Sequence, residues 1–181
     1  MDVTDQLVAE REIRRRLLDY CRGVDRGDVE LVGSAYHSDS IDDHGPFNGS
    51  GLDLARFAVD AVLENYEATM HNIGDSIIDF ADDTTAYVET YVHAEHRGAD
   101  GNGDFLERFG ARYVDRFERR DGAWRIADRV VIVEWSDVAP ITEIRGTGRF
   151  VRGLRNRDDL AYRHEPRDPE VPLPRYRDTS K

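Results

Sequence analysis

Asp25 and His71 are the residues whose chemistry best suits proton transfer. An unperturbed imidazole titrates at about 6.5, so His71 could accept and release a proton near neutral pH. A carboxylate beside it would fix the ring tautomer and favour the charged ring. The two residues are distant in the sequence, so spacing alone does not pair them. A lone histidine at a strand start is more often structural, and Asp25 is equally compatible with a solvated residue beside Asp28.

The position of Asp25 favours a charged partner. It lies near the C-terminal end of a predicted helix, where an anion meets the negative end of the dipole at a cost of about 0.3–1 kcal/mol. It also flanks the apolar stripe of that helix, which indicates partial burial. A partly buried carboxylate requires a compensating group, and an imidazolium is a suitable one.

The other histidines do not indicate a metal site. Asp43 and His44 are adjacent on an extended segment, so their side chains point to opposite faces, and His93 and His96 differ in parity on one strand. With a single cysteine, Cys21, no closed ligand set is evident, and we expect neither metal nor cofactor. His44 is expected at the pocket mouth, as a substrate-binding residue, and Cys21 as a buried, inert thiol.

Composition and charge restrict the class of protein. The 181 residues, 39% hydrophobic and 34% charged, suit one soluble globular domain. A formal net charge of -12 argues against a nucleic-acid partner, because phosphate binding needs a basic face. The sequence has no apolar run long enough for a bilayer and no signal-peptide pattern, so we predict a cytoplasmic protein without a membrane partner.

Helices are predicted early in the chain and strands later. Apolar residues at helical spacing predict a helix over 5–26, then a short second helix that carries Ala35 and Tyr36. Residues 40–44 form a short extended segment, and Asp53 is the predicted N-cap of a third helix. Alternating patterns then predict four strands, joined as hairpins, over 70–80, 84–97, 105–119 and 123–135.

This order of elements predicts an α+β cone. Hairpins give antiparallel pairing, and the helices can cover the apolar face of a curved, mostly antiparallel sheet that wraps around them. Residues 1–152 are assigned to this domain and residues 153–181, rich in proline and arginine, to a C-terminal arm or flexible tail. Because the central strands carry aromatic or apolar residues on both faces, one face would stay uncovered, and we expect a homodimer or homotrimer.

Several segments, taken in order, resemble a known family. They are Tyr20–Asp28, Tyr36–Asp39, Asp42–Gly45, Met70–Asn72 and Glu118–Ile126. Together they are similar to the SnoaL-like branch of the NTF2-like superfamily, over roughly residues 5–136. That branch includes scytalone dehydratase, bile-acid dehydratase and hexachlorocyclohexane dehydrochlorinase. The resemblance implies a cone-shaped α+β barrel, frequently a dimer or trimer, with a pocket open at one end.

The resemblance also implies roles for individual residues. Asp25 would orient His71, and the two would form a catalytic dyad. Tyr20 and Tyr36 match, loosely, the tyrosines that polarise a substrate carbonyl. Arg129 is the nearest match to an arginine that joins the site from the last strand.

The leading interpretation is a cofactor-independent, dehydratase-like lyase. It would use the Asp–His dyad to abstract a proton from a small cyclic or aromatic hydroxy-carbonyl compound. The same fold also hosts isomerases, aldol-type lyases that release an aldehyde, and non-catalytic binding or assembly domains. These remain the alternatives.

Overall fold

The computed structural model describes residues 1–142, 150–173 and 175. Three α-helices lie within these residues. They are α1, Val3–Arg26, α2, Val29–Gly33, and α3, Gly51–Asn65. The stripe predicted for α1 is buried in the core, with Ile13, Leu17, Tyr20, Cys21 and Val24 at most 3% exposed. None of the helices described is both long and apolar enough to cross a membrane.

Six strands form one sheet within the same described residues. They are β1, Tyr36–Asp43, β2, Asn48–Ser50, β3, Ala68–Phe80, β4, Thr85–Asp100, β5, Gly103–Arg120, and β6, Ala123–Pro140. Their spatial order is β2-β1-β6-β5-β4-β3, and every neighbouring pair is antiparallel except β1 and β6. The sheet is curved and unclosed, and the helices pack against its inner face. The predicted α+β architecture is therefore confirmed.

Two local predictions were wrong. Tyr36 opens β1 instead of ending the second helix, because it pairs with Ile126 of β6. The N-cap of α3 is Ser50, whose side chain accepts from the backbone N–H of Asp53 and donates to the Asp53 carboxylate. Asp53 therefore lies in the first turn of α3. Its carboxylate accepts from the Ser50 hydroxyl, and its negative charge interacts favourably with the positive end of the helix dipole.

A bulge in β6 decides which side chains face inward. Gly110 pairs with Trp135 and Ala111 with Val133, so Glu134 is the extra residue. Strand parity changes at this point: Val133 lines the inner cavity, whereas Trp135 packs on the outer face against Gly110 and His93. A Cβ at position 110 would lie 2.2 Å from the Trp135 ring, so this packing requires glycine.

The segment after β6 contacts the helices in its described part. Arg155 Nη1 donates to the carbonyl oxygens of Val62 (2.9 Å) and Tyr66 (2.5 Å) at the end of α3. Arg157 pairs with Asp28 at 2.9 Å. The assignment of 153–181 to an arm or flexible tail stays a prediction, and residues 174 and 176–181 lie outside the described residues.

The outer face of the sheet leads to a prediction of self-association. Tyr87, Tyr91 and Trp135 are 55%, 52% and 49% exposed on this face, and water contact with such rings is unfavourable. We expect a homo-oligomer in light scattering at micromolar concentration, and Trp135→Glu should lower the measured mass. Leu18→Glu on the exposed side of α1 is the control. A monomeric wild type would contradict the prediction.

Candidate active site

A cavity of about 300 Å³ lies between the helices and the inner face of the sheet. Most of its wall is aliphatic or aromatic, contributed by α1, α3 and strands β4 to β6. The polar side chains that line it are three tyrosines and three histidines: Tyr20, Tyr66, Tyr113, His44, His71 and His96. No Asp, Glu, Lys or Arg lines the cavity among the described residues. The cavity therefore suits a small neutral organic molecule with few polar groups.

His71 lines this cavity, and Asp25 contacts it from behind the wall. The last turn of α1 places Asp25 Oδ1 2.7 Å from His71 Nδ1, and Asp25 Oδ2 accepts from the backbone N–H of His71 at 3.0 Å. The side chains of His71 and Asp25 are only 8% and 10% exposed. Because one carboxylate holds both the ring and the backbone of His71, the ring orientation is fixed. No described group bonds to Nε2, which leaves that nitrogen for a molecule in the cavity.

The electrostatics of Asp25 follow from this contact. Burial raises the pKa of its carboxyl, but the hydrogen bonds and charge of His71 outweigh that effect, and the pKa lies below its ordinary value. Asp25 is therefore a carboxylate at neutral pH. It can hold the Nδ1 proton of His71 and stabilise an imidazolium that forms when Nε2 takes a second proton.

His96 is a cavity residue that sequence reasoning missed. Its ring centroid lies 5.4 Å from that of His71, and neither ring nitrogen has a hydrogen-bond partner among the described residues. Burial, followed by the charge of His71, lowers the pKa of His96 to about 4. The ring is therefore neutral at physiological pH and offers one donor and one acceptor. His96 lies two residues after Ala94 and four after Val92, which both face the cavity, so the alternation of the strand could have identified it.

The four residues predicted to bind substrate divide into two groups. Tyr20 and His44 line the cavity, and the Tyr20 hydroxyl lies 3.4 Å from His44 Nε2. Tyr36 and Arg129 are fully buried behind the wall and do not line it. Strand register explains the position of Arg129, because it pairs across the sheet with Asp115 of β5.

Arg129 instead forms the centre of a buried polar network. Its Nε and Nη2 donate to the two oxygens of Asp115 at 2.7 and 2.8 Å, a bidentate ion pair. Its guanidinium carbon lies 4.6 Å from the Tyr20 ring centroid and 4.2 Å from that of Tyr113. Burial lowers the pKa of Arg129, but Asp115 more than compensates, so the guanidinium stays charged.

Burial also keeps the neighbouring hydroxyl and thiol groups protonated. It raises the pKa of Tyr20 despite the opposing charge of Arg129. It likewise raises the pKa of the Cys21 thiol to about 12, which agrees with an inert cysteine. Within residues 1–142, 150–173 and 175, no group of three or more His, Cys, Asp or Glu side chains is arranged to hold a metal ion.

Solved structures share this fold. A scytalone dehydratase-like protein from Novosphingobium aromaticivorans is 24% identical over 81% of this chain and 98% of its own, with a TM-score of 0.66. A type 2 hexachlorocyclohexane dehydrochlorinase is 21% identical over 80% of this chain and 98% of its own, with a TM-score of 0.70. The type 3 enzyme from Novosphingobium barchaimii is 19% identical over 78% of this chain and 99% of its own, with a TM-score of 0.68.

The sequence comparisons identify the family. The structural similarities lie below 25% identity and show the fold, not the reaction. No curated protein sequence matches the chain significantly. A family model, the SnoaL-like domain, matches residues 5–130, which is most of the chain. The protein therefore belongs to the SnoaL-like domain family and has an NTF2-like fold.

Proposed function

We propose that the protein is a cofactor-independent, dehydratase-like lyase that abstracts a proton from carbon. The observation that carries this proposal is the buried Asp25–His71 pair, in which His71 lines an apolar cavity and no described group bonds to its Nε2. A general base needs a fixed tautomer, a carboxylate that supports the developing positive charge, and access to substrate. The pair has all three.

In the proposed reaction, His71 Nε2 takes a proton from the carbon next to a substrate carbonyl. The electron pair of that C–H bond moves into an enolate, and Asp25 stabilises the imidazolium that results. The enolate then expels a leaving group from the adjacent carbon as the double bond forms. Burial raises the pKa of Tyr20, so its hydroxyl stays a donor and can bind the enolate oxygen.

The cavity supports a small, neutral, cyclic or aromatic hydroxy-carbonyl substrate. Its volume of about 300 Å³ suits a molecule of one or two rings, and its aliphatic walls favour apolar ring surface. The neutral ring of His96 can hydrogen-bond a second polar group of the substrate. The names of the structural relatives are consistent with this chemistry, because loss of water and loss of hydrogen chloride both remove a proton from carbon together with a leaving group.

An isomerase is the second candidate. The closeness of His96 to His71 favours it, since a neighbouring imidazole could help to return the abstracted proton to a different carbon. An aldol-type lyase would pass through the same enolate. These reactions share the first step and differ in the fate of the enolate, so the first test addresses that step.

Hydrogen exchange tests the proposed proton abstraction without knowledge of the leaving group. Cyclic ketones incubated with the protein in D₂O should gain deuterium next to the carbonyl, which NMR detects. His71→Ala should lower the exchange rate by about 10²–10⁴-fold, whereas His93→Ala, on the exposed outer face, should not lower it. Exchange that persists in His71→Ala would show that His71 is not the base, and no exchange with any ketone that binds would argue for a non-catalytic binding domain.

A further inference from the structure

A second aspartate–histidine pair borders the same cavity. His44 Nδ1 lies 3.0 Å from Asp42 Oδ1, and His44 lines the cavity while Asp42 is 0% exposed. The His44 ring has Tyr20 and Tyr113 as neighbours, whereas the His71 ring has His96. The two pairs therefore occupy different parts of the wall.

Asp42 is held as firmly as Asp25. The Tyr36 hydroxyl donates to Asp42 Oδ2 at 2.6 Å, so each oxygen of this carboxylate has its own partner. With Nδ1 turned to the carboxylate, Nε2 is the His44 nitrogen on the Tyr20 side, 3.4 Å from that hydroxyl. This arrangement fixes the tautomer, and the long contact between Nε2 and the Tyr20 hydroxyl is one that a molecule in the cavity can replace.

The charges around the two pairs differ. Behind His44, two carboxylates, Asp42 and Asp115, face one guanidinium, Arg129, which reaches Asp42 through the Tyr36 hydroxyl at 3.4 Å. With its carboxylate at His44 Nδ1, Asp42 is placed to stabilise a ring that carries a proton on Nε2 as well. Behind His71 there is one buried carboxylate, Asp25, and the charge of Arg155 acts on it.

From this asymmetry we propose that Asp42–His44 is a second acid–base dyad, with His44 as the general acid of the reaction in which His71 is the base. The proposal rests on the proposed lyase function. His71 Nε2 accepts the proton from carbon, and the C–H electron pair becomes the new C=C bond. The C–O bond breaks, and the leaving oxygen takes the proton of His44 Nε2 and departs as water. The two rings then exchange protons with solvent. Asp42 acts as a positioning residue.

Two probes with different leaving groups separate the acid from the base. A cyclic ketone with a hydroxyl on its β-carbon loses hydroxide, which needs protonation. A nitro-substituted benzisoxazole opens by proton removal from carbon and releases a stabilised phenolate that needs no acid. His44→Gln should lower elimination from the hydroxyketone by at least about 100-fold more than it lowers benzisoxazole opening. His71→Ala should lower both by about 10²–10⁴-fold.

The matched control is His37→Gln, a histidine of β1 that bonds to the Glu118 carbonyl and does not line the cavity. Asp42→Asn should move the alkaline limb of the hydroxyketone pH profile to lower pH, because the imidazolium loses its carboxylate. Asp43→Asn, one residue away, should not. A merely structural role of Asp42 would lower both probe rates together and leave the pH profile unmoved.

The outcomes distinguish this inference from the proposed function. Equal losses on both probes in a folded His44→Gln variant, or no loss on either, would overturn the second dyad and leave the Asp25–His71 base intact. Failure of His71→Ala to affect either probe, or a wild type inactive on both, would overturn the proposed function and this inference with it. Circular dichroism establishes that each variant is folded.

Discussion

His71→Ala should lower turnover of a substrate by about 10²–10⁴-fold, the range that a positioned general base contributes. Asp25→Asn should also lower it, since the ring then loses the carboxylate that fixes its tautomer and supports its charge. Because the two side chains act through one contact of 2.7 Å, the double variant should lower turnover little more than the more damaging of the two single variants does.

Single-turnover kinetics with substrate deuterated at the acidic carbon would measure this coupling. A primary isotope effect is expected in the wild type, because C–H cleavage is the step that the pair accelerates. Asp19→Asn, another buried acid of α1 that pairs with Arg15, is the control. Fully additive losses together with the absence of an isotope effect would contradict the dyad.

Asp115→Ala should lower the free energy of unfolding by about 3–5 kcal/mol, the usual loss when one partner of a buried ion pair is removed. Both side chains are 0% exposed, so Arg129 would stay charged in the core without its bidentate partner. A double variant, Asp115→Leu with Arg129→Met, removes both charges and should recover much of the loss.

Urea unfolding monitored by tryptophan fluorescence measures this effect. The matched control is Glu134→Ala, which breaks a solvent-exposed pair with Arg112 and should change the free energy of unfolding by less than about 1 kcal/mol. If Asp115→Ala lowered the free energy of unfolding no more than Glu134→Ala does, the ion pair would not be an important part of the core.

Much of the fold could be predicted from local pattern. The stripe of α1 lies at helical spacing, and its burial follows from that spacing. The Asp121-Gly122 turn marks the β5–β6 hairpin because both residues adopt positive φ, 52° and 80°, as a tight hairpin requires. These features depend on residues near each other in sequence, so one segment contains the information.

The position of each side chain across the sheet depended on tertiary structure. His96 faces inward with Val92 and Ala94, but parity alone does not say which face of β4 is the inner one. The Glu134 bulge reverses parity within β6, so no uniform alternation predicts both Val133 and Trp135. Arg129 is buried with Asp115 and not in the cavity, because the β5–β6 register places the two side by side.

The sequence by itself determined the residue types, the place of Asp25 in the last turn of a helix, the place of His71 near the start of a strand, and the family resemblance that links them. Only the tertiary structure decided that Asp25 Oδ1 and His71 Nδ1 lie 2.7 Å apart, and that Asp42 holds His44 at the same cavity. The physical reason is that the Asp25–His71 bond joins distant segments and depends on how α1 packs against the curved sheet, and that the place of His44 at the cavity depends on how β1 pairs within that sheet. That packing depends on contacts throughout the core, so no single stretch of residues determines it.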